Sequence, residues 1–319
     1  MKYAKGLLKK LSEQISKFFH IKPVPSPIIA VTGGKGGTGK TTVAVNLAVA
    51  LKMNEKHVML VDIDVDCPND AVLFGEKLEN GEDITFFKPR INTEKCVKCG
   101  KCAEACLEHA LVYVKDQFPA FFEELCSGCA ACQLVCPVDA IEEDRKVLGK
   151  VYISEVDGIR LVTGELRPTE ARSPLVAFKT KQKAYEIAEK ESFDVILVDT
   201  APGVHNPVVR ALQGADFALA VTEPTPLGAH DLGRILDLTR TLDISTSVVL
   251  NRAYIKGGFK KVIYDICEKY GVKIVSEVPF DEKLIEAYIR GVPVVKLFPD
   301  SPCARAIFEL ADYVSEQLK

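Results

Sequence analysis

The 319-residue sequence has no apolar run approaching the roughly 18 residues that a membrane-spanning helix needs. Its first residues also lack the unbroken apolar stretch and small-residue cleavage site of a secretory leader. Spanning and secreted classes are therefore set aside, and a cytoplasmic location is expected. Basic residues are not in excess: 41 Lys and Arg stand against 44 Asp and Glu, a formal charge of −3. Attraction of the whole molecule to nucleic acid is thereby removed, and no nucleic-acid partner is expected. Histidine is scarce, with five in the chain, and none falls in a metal or catalytic pattern; His205 and His230 read as loop or cap residues. Asn and Gln together number 13, a composition compatible with a thermophilic source.

Cysteine, by contrast, is plentiful. Of eleven cysteines, eight lie between residues 96 and 136 in two groups of regular spacing. A reducing cytosol disfavours disulfides, and a chain of this length with 47% hydrophobic residues can bury a core without such staples. The distribution points to metal. Cys67, Cys267 and Cys303 stand apart and are expected to be small core residues, with Cys67 the least secure of the three.

Residues 1–20 place Leu7, Leu8, Leu11, Ile15, Phe18 and Phe19 at helical spacing, with Lys2, Lys5, Lys9, Lys10 and Lys17 between them. The prolines of IKPVPSP end this amphipathic helix. Packing against the body or a second subunit is the favoured role, and peripheral membrane contact the lesser one. From residue 27 short β-rich runs alternate with helical segments, predicting an α/β fold: a mostly parallel sheet with helices on both faces. Strands are expected at 27–32, 57–62, 194–199, 216–222, 246–251 and 273–278, with GIRLVTGEL (158–166) returning to the same sheet. Residues 84–150 interrupt the pattern with cysteine groups, short strands and acidic turns, and read as an inserted α+β domain. The division expected is thus 1–26 for helix and linker, 27–83 with 151–319 for the parent domain, and 84–150 for the insertion. ELRPTEARSPLV (165–176) reads as a polar loop.

Gly34, Gly39, Lys40 and Thr41 satisfy G-x-x-x-x-G-K-[ST] between a strand and the helical run TTVAVNLAVALK. Glycines let backbone N–H groups close on a β-phosphate, Lys40 reaches the terminal phosphates, and Thr41 offers its hydroxyl to magnesium. Within GKGGTGKT, Lys35 is an additional lysine, and here the sequence resembles the MinD/ParA/nitrogenase-iron-protein class of P-loop ATPases. The resemblance implies ATP and Mg2+, and a homodimer with nucleotide sandwiched at its interface, Lys35 crossing to the partner's nucleotide. It further implies that Gly34, Gly36, Gly37, Thr38, Gly39, Lys40, Thr41 and Thr42 cradle the phosphates. In VDIDVD, Asp62 and Asp64 would serve the magnesium shell and the attacking water, which of the two orients the water being left open. Asp199 of LVDTAPG would lie near magnesium, Asn251 and Arg252 of VLNRA on the adenine side, and Pro279 of VPFD in the loop over the base. Ordinary strand-end capping is the competing explanation for the aspartates.

Cys96, Cys99, Cys102 and Cys106 follow C-x2-C-x2-C-x3-C, and Cys126, Cys129, Cys132 and Cys136 repeat it, with Pro137 after the second run. This is the spacing of bacterial two-cluster ferredoxins, in which the fourth cysteine of each run ligates the other cluster. The expected sets are Cys96, Cys99, Cys102 and Cys136 for one 4Fe-4S cluster, and Cys126, Cys129, Cys132 and Cys106 for the other. CLEHAL after the first run matches CPVDAI after the second, the mark of a duplicated half. Leu107 stands where the second half has Pro137, a change of loop stiffness and not of ligand. Zinc is the competing metal, but two linked four-cysteine runs are not its pattern.

As a whole the sequence resembles MinD-superfamily ATPases containing an inserted ferredoxin domain. An ATPase of an anaerobic prokaryote is expected, coupling the nucleotide state of a homodimer to electron transfer through two clusters toward a redox or metalloprotein partner. Two alternatives are an ATP-dependent assembler or carrier of iron-sulfur or metal cofactors, and a MinD-like spatial regulator with redox sensing.

Overall fold

The computed structural model describes residues 24–255 and 259–318, so the helix expected over 1–20 lies outside the described residues. Two compact units are present. The smaller takes in Ile84–Leu148, and the larger runs up to Asp83 and resumes at Gly149. In chain order, β1 (Ile28–Thr32), α1 (Lys40–Met53), β2 (Val58–Asp62) and α2 (Asp70–Leu73) precede β3 (Glu82–Ile91). The smaller unit then carries α3 (Lys101–Glu104), β4 (Leu111–Val112), β5 (Ala120–Phe121), α4 (Ala131–Leu134) and the start of β6 (Ile141–Val156). After β7 (Ile159–Leu166), the larger unit continues with α5 (Ser173–Ala188), β8 (Val195–Asp199), α6 (Asn206–Leu212) and β9 (Phe217–Thr222). It finishes with α7 (Pro226–Thr241), β10 (Ser245–Asn251), α8 (Lys260–Tyr270), β11 (Ile274–Val278), α9 (Glu282–Arg290), α10 (Val294–Leu297) and α11 (Pro302–Gln317).

Strands of the larger unit are ordered β11-β10-β9-β1-β8-β2-β7, all paired parallel, with the end of β6 antiparallel to β7 from Gly149↔Leu166 to Val156↔Ile159. β1, β2 and β8 are buried along their whole length, as a sheet covered on both faces requires. Alternation decides which face each residue serves. Ile29 and Val31 of β1 and Phe217, Leu219 and Val221 of β9 enter the core shared with α1 and α11. Ala30, Ala218 and Ala220 face the opposite core with Leu212, Leu232, Ile235 and Ile263, where small side chains admit the helices α6, α7 and α8 closely. α1 is apolar on every side because it is enclosed, with Leu47, Ala48 and Leu51 at 0% exposure. Burying each such leucine stabilises the fold by about 1.5–3 kcal/mol. Among the described residues no helix is long and apolar enough to cross a membrane.

In the smaller unit the core is itself made largely of cysteine: Cys102, Leu111, Cys132 and Ile141 are buried together, with Cys106, Cys136, Phe87 and Phe121 packed against them. So little hydrocarbon is a weak basis for independent stability, the usual reason that small modules recruit metal. The duplicated half is visible in the backbone at an offset of 30 residues. Lys98 and Gly128, Gly100 and Ala130, and His109 and Asp139 all have positive φ, and α3 and α4 start at corresponding positions.

Four readings of the sequence need correcting. Cys67 is exposed, unlike Cys267 and Cys303, because the loop after β2 turns its side chain out toward Asn69. His230 lies inside α7, while His205 is the N-cap residue of α6. Of the segment 165–176, the helix α5 already begins at Ser173. Strands in the inserted region are long as well as short, β3 running 10 residues and β6 starting there and continuing past Gly149.

Candidate functional site

The end of β1 feeds the glycine loop into α1, whose N-terminus leaves backbone N–H groups free to face an anion. Gly39 caps it at φ +93°, and a Cβ there would stand 2.2 Å from the Asn251 Nδ2 atom. That closeness has a function, since the Asn251 amide donates to the Thr38 carbonyl at 2.8 Å and its oxygen accepts from Arg252 N–H at 2.9 Å. Gly34 is equally constrained, a Cβ meeting Asp231 at 2.4 Å, whereas Gly36 and Gly37 face open space. Arg252 donates to the Gly37 carbonyl at 3.0 Å. Asn251 and Arg252 thereby brace the loop from the end of β10.

Lys40 is 5% exposed and donates to the Lys35 carbonyl at 3.3 Å. Burial lowers the pKa of its ammonium, against Asp199 and Asp64, which raise it. Thr41 donates to Asp199 Oδ2 at 2.6 Å, and Asp199 Oδ1 is buried without a partner. Burial pushes the Asp199 carboxyl up to about 7, despite the Thr41 hydrogen bond and Lys40. A hydroxyl and a carboxylate with an unsatisfied oxygen form the hard donor set that Mg2+ takes, so these residues fit that ion.

The two aspartates of VDIDVD differ in their surroundings. Asp62 is fully buried and accepts N–H groups from Asp64 (3.1 Å), Asn69 (2.9 Å) and Asp70 (3.1 Å), which ties down the loop between β2 and α2. Asp64 is only partly buried, and burial, moderated by Lys40, places its carboxyl at about 6. Of the pair, Asp64 has the carboxylate available to a water.

Three neighbours were not singled out by the sequence. Glu223 accepts from Lys35 at 2.7 Å and from Arg252 at 2.7 Å, so the additional lysine is held within its own chain here. Although burial acts to raise it, the hydrogen bonds from Lys35 and Arg252 hold the Glu223 carboxyl below the ordinary range. The Tyr288 hydroxyl of α9 meets the Thr42 hydroxyl in the first turn of α1. Asp70 is buried beside Asp62 and Asp199. Strand order is the signal that finds Glu223: Thr32 pairs with Ala220, so the residue just past β9 must lie beside the residues just past β1. Pro279 sits between β11 and α9, where Asp281 accepts from Lys283 N–H and caps the helix.

In the smaller unit the eight cysteines of the two runs gather in two cavities. One is lined by Cys96, Cys99, Cys102 and Cys136, the other by Cys106, Cys126, Cys129 and Cys132. Both open to solvent at the mouth, with walls that include Pro119 and Ile141 in the first and Phe87, Leu111 and Phe121 in the second. Backbone N–H groups donate to Cys106 Sγ from Ala110 (3.3 Å), to Cys136 Sγ from Ala140 (3.1 Å), and to Cys126 Sγ from Gly128 (3.4 Å). Burial raises the Cys102 thiol, and burial with Cys129 and Cys126 nearby raises Cys132 to about 12. Four soft sulfur donors about one cavity are the ligand set of an iron-sulfur cubane, so the residues fit two such clusters.

The family model for the CobQ/CobB/MinD/ParA nucleotide binding domain matches residues 29–294. An uncharacterized protein of Methanocaldococcus jannaschii is 36% identical over 270 residues, 84% of this chain and 91% of its own. An iron-sulfur cluster carrier protein of Pyrococcus horikoshii is 27% identical over 307 residues, 91% of this chain and 86% of its own. Among solved structures, the septum site-determining protein MinD of Pyrococcus horikoshii, complexed with Mg-ADP, superposes with a TM-score of 0.58 at 20% identity, covering 92% of this chain and 97% of that one. The chain belongs to the CobQ/CobB/MinD/ParA family of nucleotide-binding domains.

Proposed function

We propose that the protein is an ATP-hydrolysing iron-sulfur protein, in which the nucleotide state of a homodimer controls electron transfer through two 4Fe-4S clusters to a protein acceptor. The observation that carries this reading is the sorting of eight cysteines into two cavities, three from one run and the last from the other, on a chain that also holds a complete phosphate loop. Membership of the nucleotide-binding family supports the first half and the hard donors around Thr41 the choice of Mg2+.

In this reading backbone N–H groups at the start of α1 hold the β-phosphate, Lys40 neutralises the terminal phosphates, and Thr41 with Asp199 holds Mg2+. Bound Mg2+ supplies charge neutralisation of the phosphates. Asp64 orients the attacking water as a carboxylate, while Asp62 keeps the surrounding loop in place. Lys35 leaves Glu223 and places its ammonium on the partner's nucleotide, where negative charge spreads as the phosphoryl group transfers. Clusters supply one-electron chemistry, and the cysteine thiolates with their N–H donors set the potentials. The insertion leaves the parent domain after the Asp62–Asp70 loop and returns before Asp199. Both of its ends are therefore joined in sequence to segments that attend the γ-phosphate, the kind of segment that reorders on hydrolysis.

Anaerobically prepared protein should contain roughly eight irons and eight sulfides per chain, and reduced clusters should pass electrons to an acceptor faster with ATP than with ADP in stopped-flow optical traces. Equal rates with a competent acceptor would refute the coupling. The iron-sulfur cluster carrier relative favours a second reading, delivery of clusters to other proteins. Incubation with an apo-ferredoxin separates the two: loss of cluster absorbance from this protein with gain in the acceptor indicates delivery.

A further inference from the structure

Asp70 has no role in the chemistry above, yet among the described residues it is the one whose two carboxylate oxygens are both buried without a side-chain or backbone partner. It is 0% exposed, and neither of its oxygens has a hydrogen-bond partner. Its surroundings are worse than neutral. One oxygen each from Asp70, Asp62 and Asp199 lie within 4.8 Å of one another, and all three residues are at most 1% exposed. Lys40 faces Asp199 and Asp64. One ammonium is thus set among four carboxylates.

Buried carboxylates this close together are neutralised either by protons or by a bound cation. The geometry suits a cation. Hard divalent cations bind carboxylate oxygens at about 2.0–2.6 Å, which puts oxygens on opposite sides of the ion about 4–5 Å apart. Sheet register adds a further donor: Thr163 on β7 pairs with Asp62 on β2, which pairs with Asp199 on β8, and the buried Thr163 hydroxyl also has no partner. Asp62 already accepts three backbone N–H groups from the loop that leads to Asp70, so a cation there would lock that loop.

We infer that Asp62, Asp70 and Asp199 form a divalent-cation site that fills without nucleotide, with Asp70 as the ligand that makes it independent of phosphate oxygens. It rests on the reading of Thr41 and Asp199 as the Mg2+-nucleotide site insofar as Asp199 serves both. A cation held here keeps the β2–α2 loop and Asp199 in place before nucleotide arrives.

The test is titration of nucleotide-free full-length protein with Mn2+, following loss of the free-ion EPR signal, alongside binding of a fluorescent ADP analogue. Wild type should take up one Mn2+ without nucleotide. Asp70→Asn should weaken that uptake roughly tenfold or more while still binding the ADP analogue with Mn2+. No uptake by wild type, or equal uptake by the variant, overturns the inference. Should Asp70→Asn not be recovered folded, Asp70→Ser is read in the same way. Failure of wild type to bind the ADP analogue would instead overturn the nucleotide site, and is seen separately from the nucleotide-free titration.

Discussion

Glu223 sets the position of Lys35, and replacing it with Gln tests whether that grip restrains the dimer. Lys35 Nζ lies 2.7 Å from one carboxylate oxygen and Arg252 the same distance from the other, with Glu223 itself 9% exposed on its side chain. At an effective dielectric near 20, the Coulomb attraction across that gap is about 6 kcal/mol per pair before desolvation. Breaking a wholly buried pair costs about 3–5 kcal/mol. Here the Lys35 and Arg252 side chains are 25% and 40% exposed, and exposed pairs are worth about 0–1 kcal/mol. A net grip of about 1–2 kcal/mol on Lys35 follows from these bounds. Glu223→Gln should therefore lower the melting temperature of the nucleotide-free protein by a few degrees, about 2–4 °C per kcal/mol for a domain of this size. It should also tighten the proposed ATP-dependent dimer about five- to thirtyfold, because in that proposal Lys35 would no longer have to leave an ion pair before crossing. Analytical ultracentrifugation with ATP and with ADP measures the second effect. An unchanged or weaker ATP dimer in Glu223→Gln, with nucleotide affinity intact, would refute the idea that Glu223 restrains Lys35.

Other outcomes follow from separate parts of the molecule. Cys136→Ala should cost the cluster of Cys96, Cys99 and Cys102, and Cys106→Ala the other, each leaving roughly half the iron of the parent protein; loss of the same cluster in both variants, read from iron content and EPR, would overturn the crossed assignment. Lys181 is 1% exposed and donates to the carbonyls of Ala211 (2.6 Å), Gln213 (2.5 Å) and Arg210 (3.3 Å), closing the C-terminal end of α6. Lys181→Met leaves those carbonyls without a donor and should cost about 1–3 kcal/mol, seen as a lower urea midpoint. Asp64 at about 6 and Asp199 at about 7 lie above the unfolded value of about 3.9. Between pH 4 and 7, as ordinary approximate bounds, the folded chain then binds more protons than the unfolded one, so stability falls as pH rises. The lowered carboxyls of Glu123, Glu142, Glu223, Glu277 and Glu286 act in the opposite sense, but only below about pH 5. Urea midpoints in chelator without nucleotide should decline from pH 5 to 7, and a rise would contradict the carboxyl cluster as described.

Much of the fold could be read from the sequence because its signals are local. Strand, glycine loop and helix follow one another in β1 and α1, and the buried strands are continuous apolar runs such as VILVD in β8. The α/β expectation holds for the same reason. What escaped depends on distant parts of the chain meeting. Glu223 reaches Lys35 across 188 residues and Tyr288 reaches Thr42 across 246, and no periodicity reports either. Asp70 carries no signal of its own in the sequence, and only the fold, with Asp199 registered beside Asp62, gathers the three carboxylates. Cys67 was misjudged because a small thiol flanked by polar residues carries no burial signal of its own, and the loop after β2 turns it outward. In β6 the sequence IEEDRKVLGKVYISEV mixes charge with β-formers, and its second half, from Gly149 to Val156, becomes plain as strand only once β7 supplies the pairing edge.

Coupling between nucleotide and clusters is tested most directly by redox titration of the anaerobic protein with ADP and with a non-hydrolysable ATP analogue, monitored by EPR of the reduced clusters. The account predicts a midpoint that differs between the two nucleotide states, with electron transfer to acceptor accelerated in the triphosphate state. Superimposable titrations, together with identical transfer rates, would contradict it.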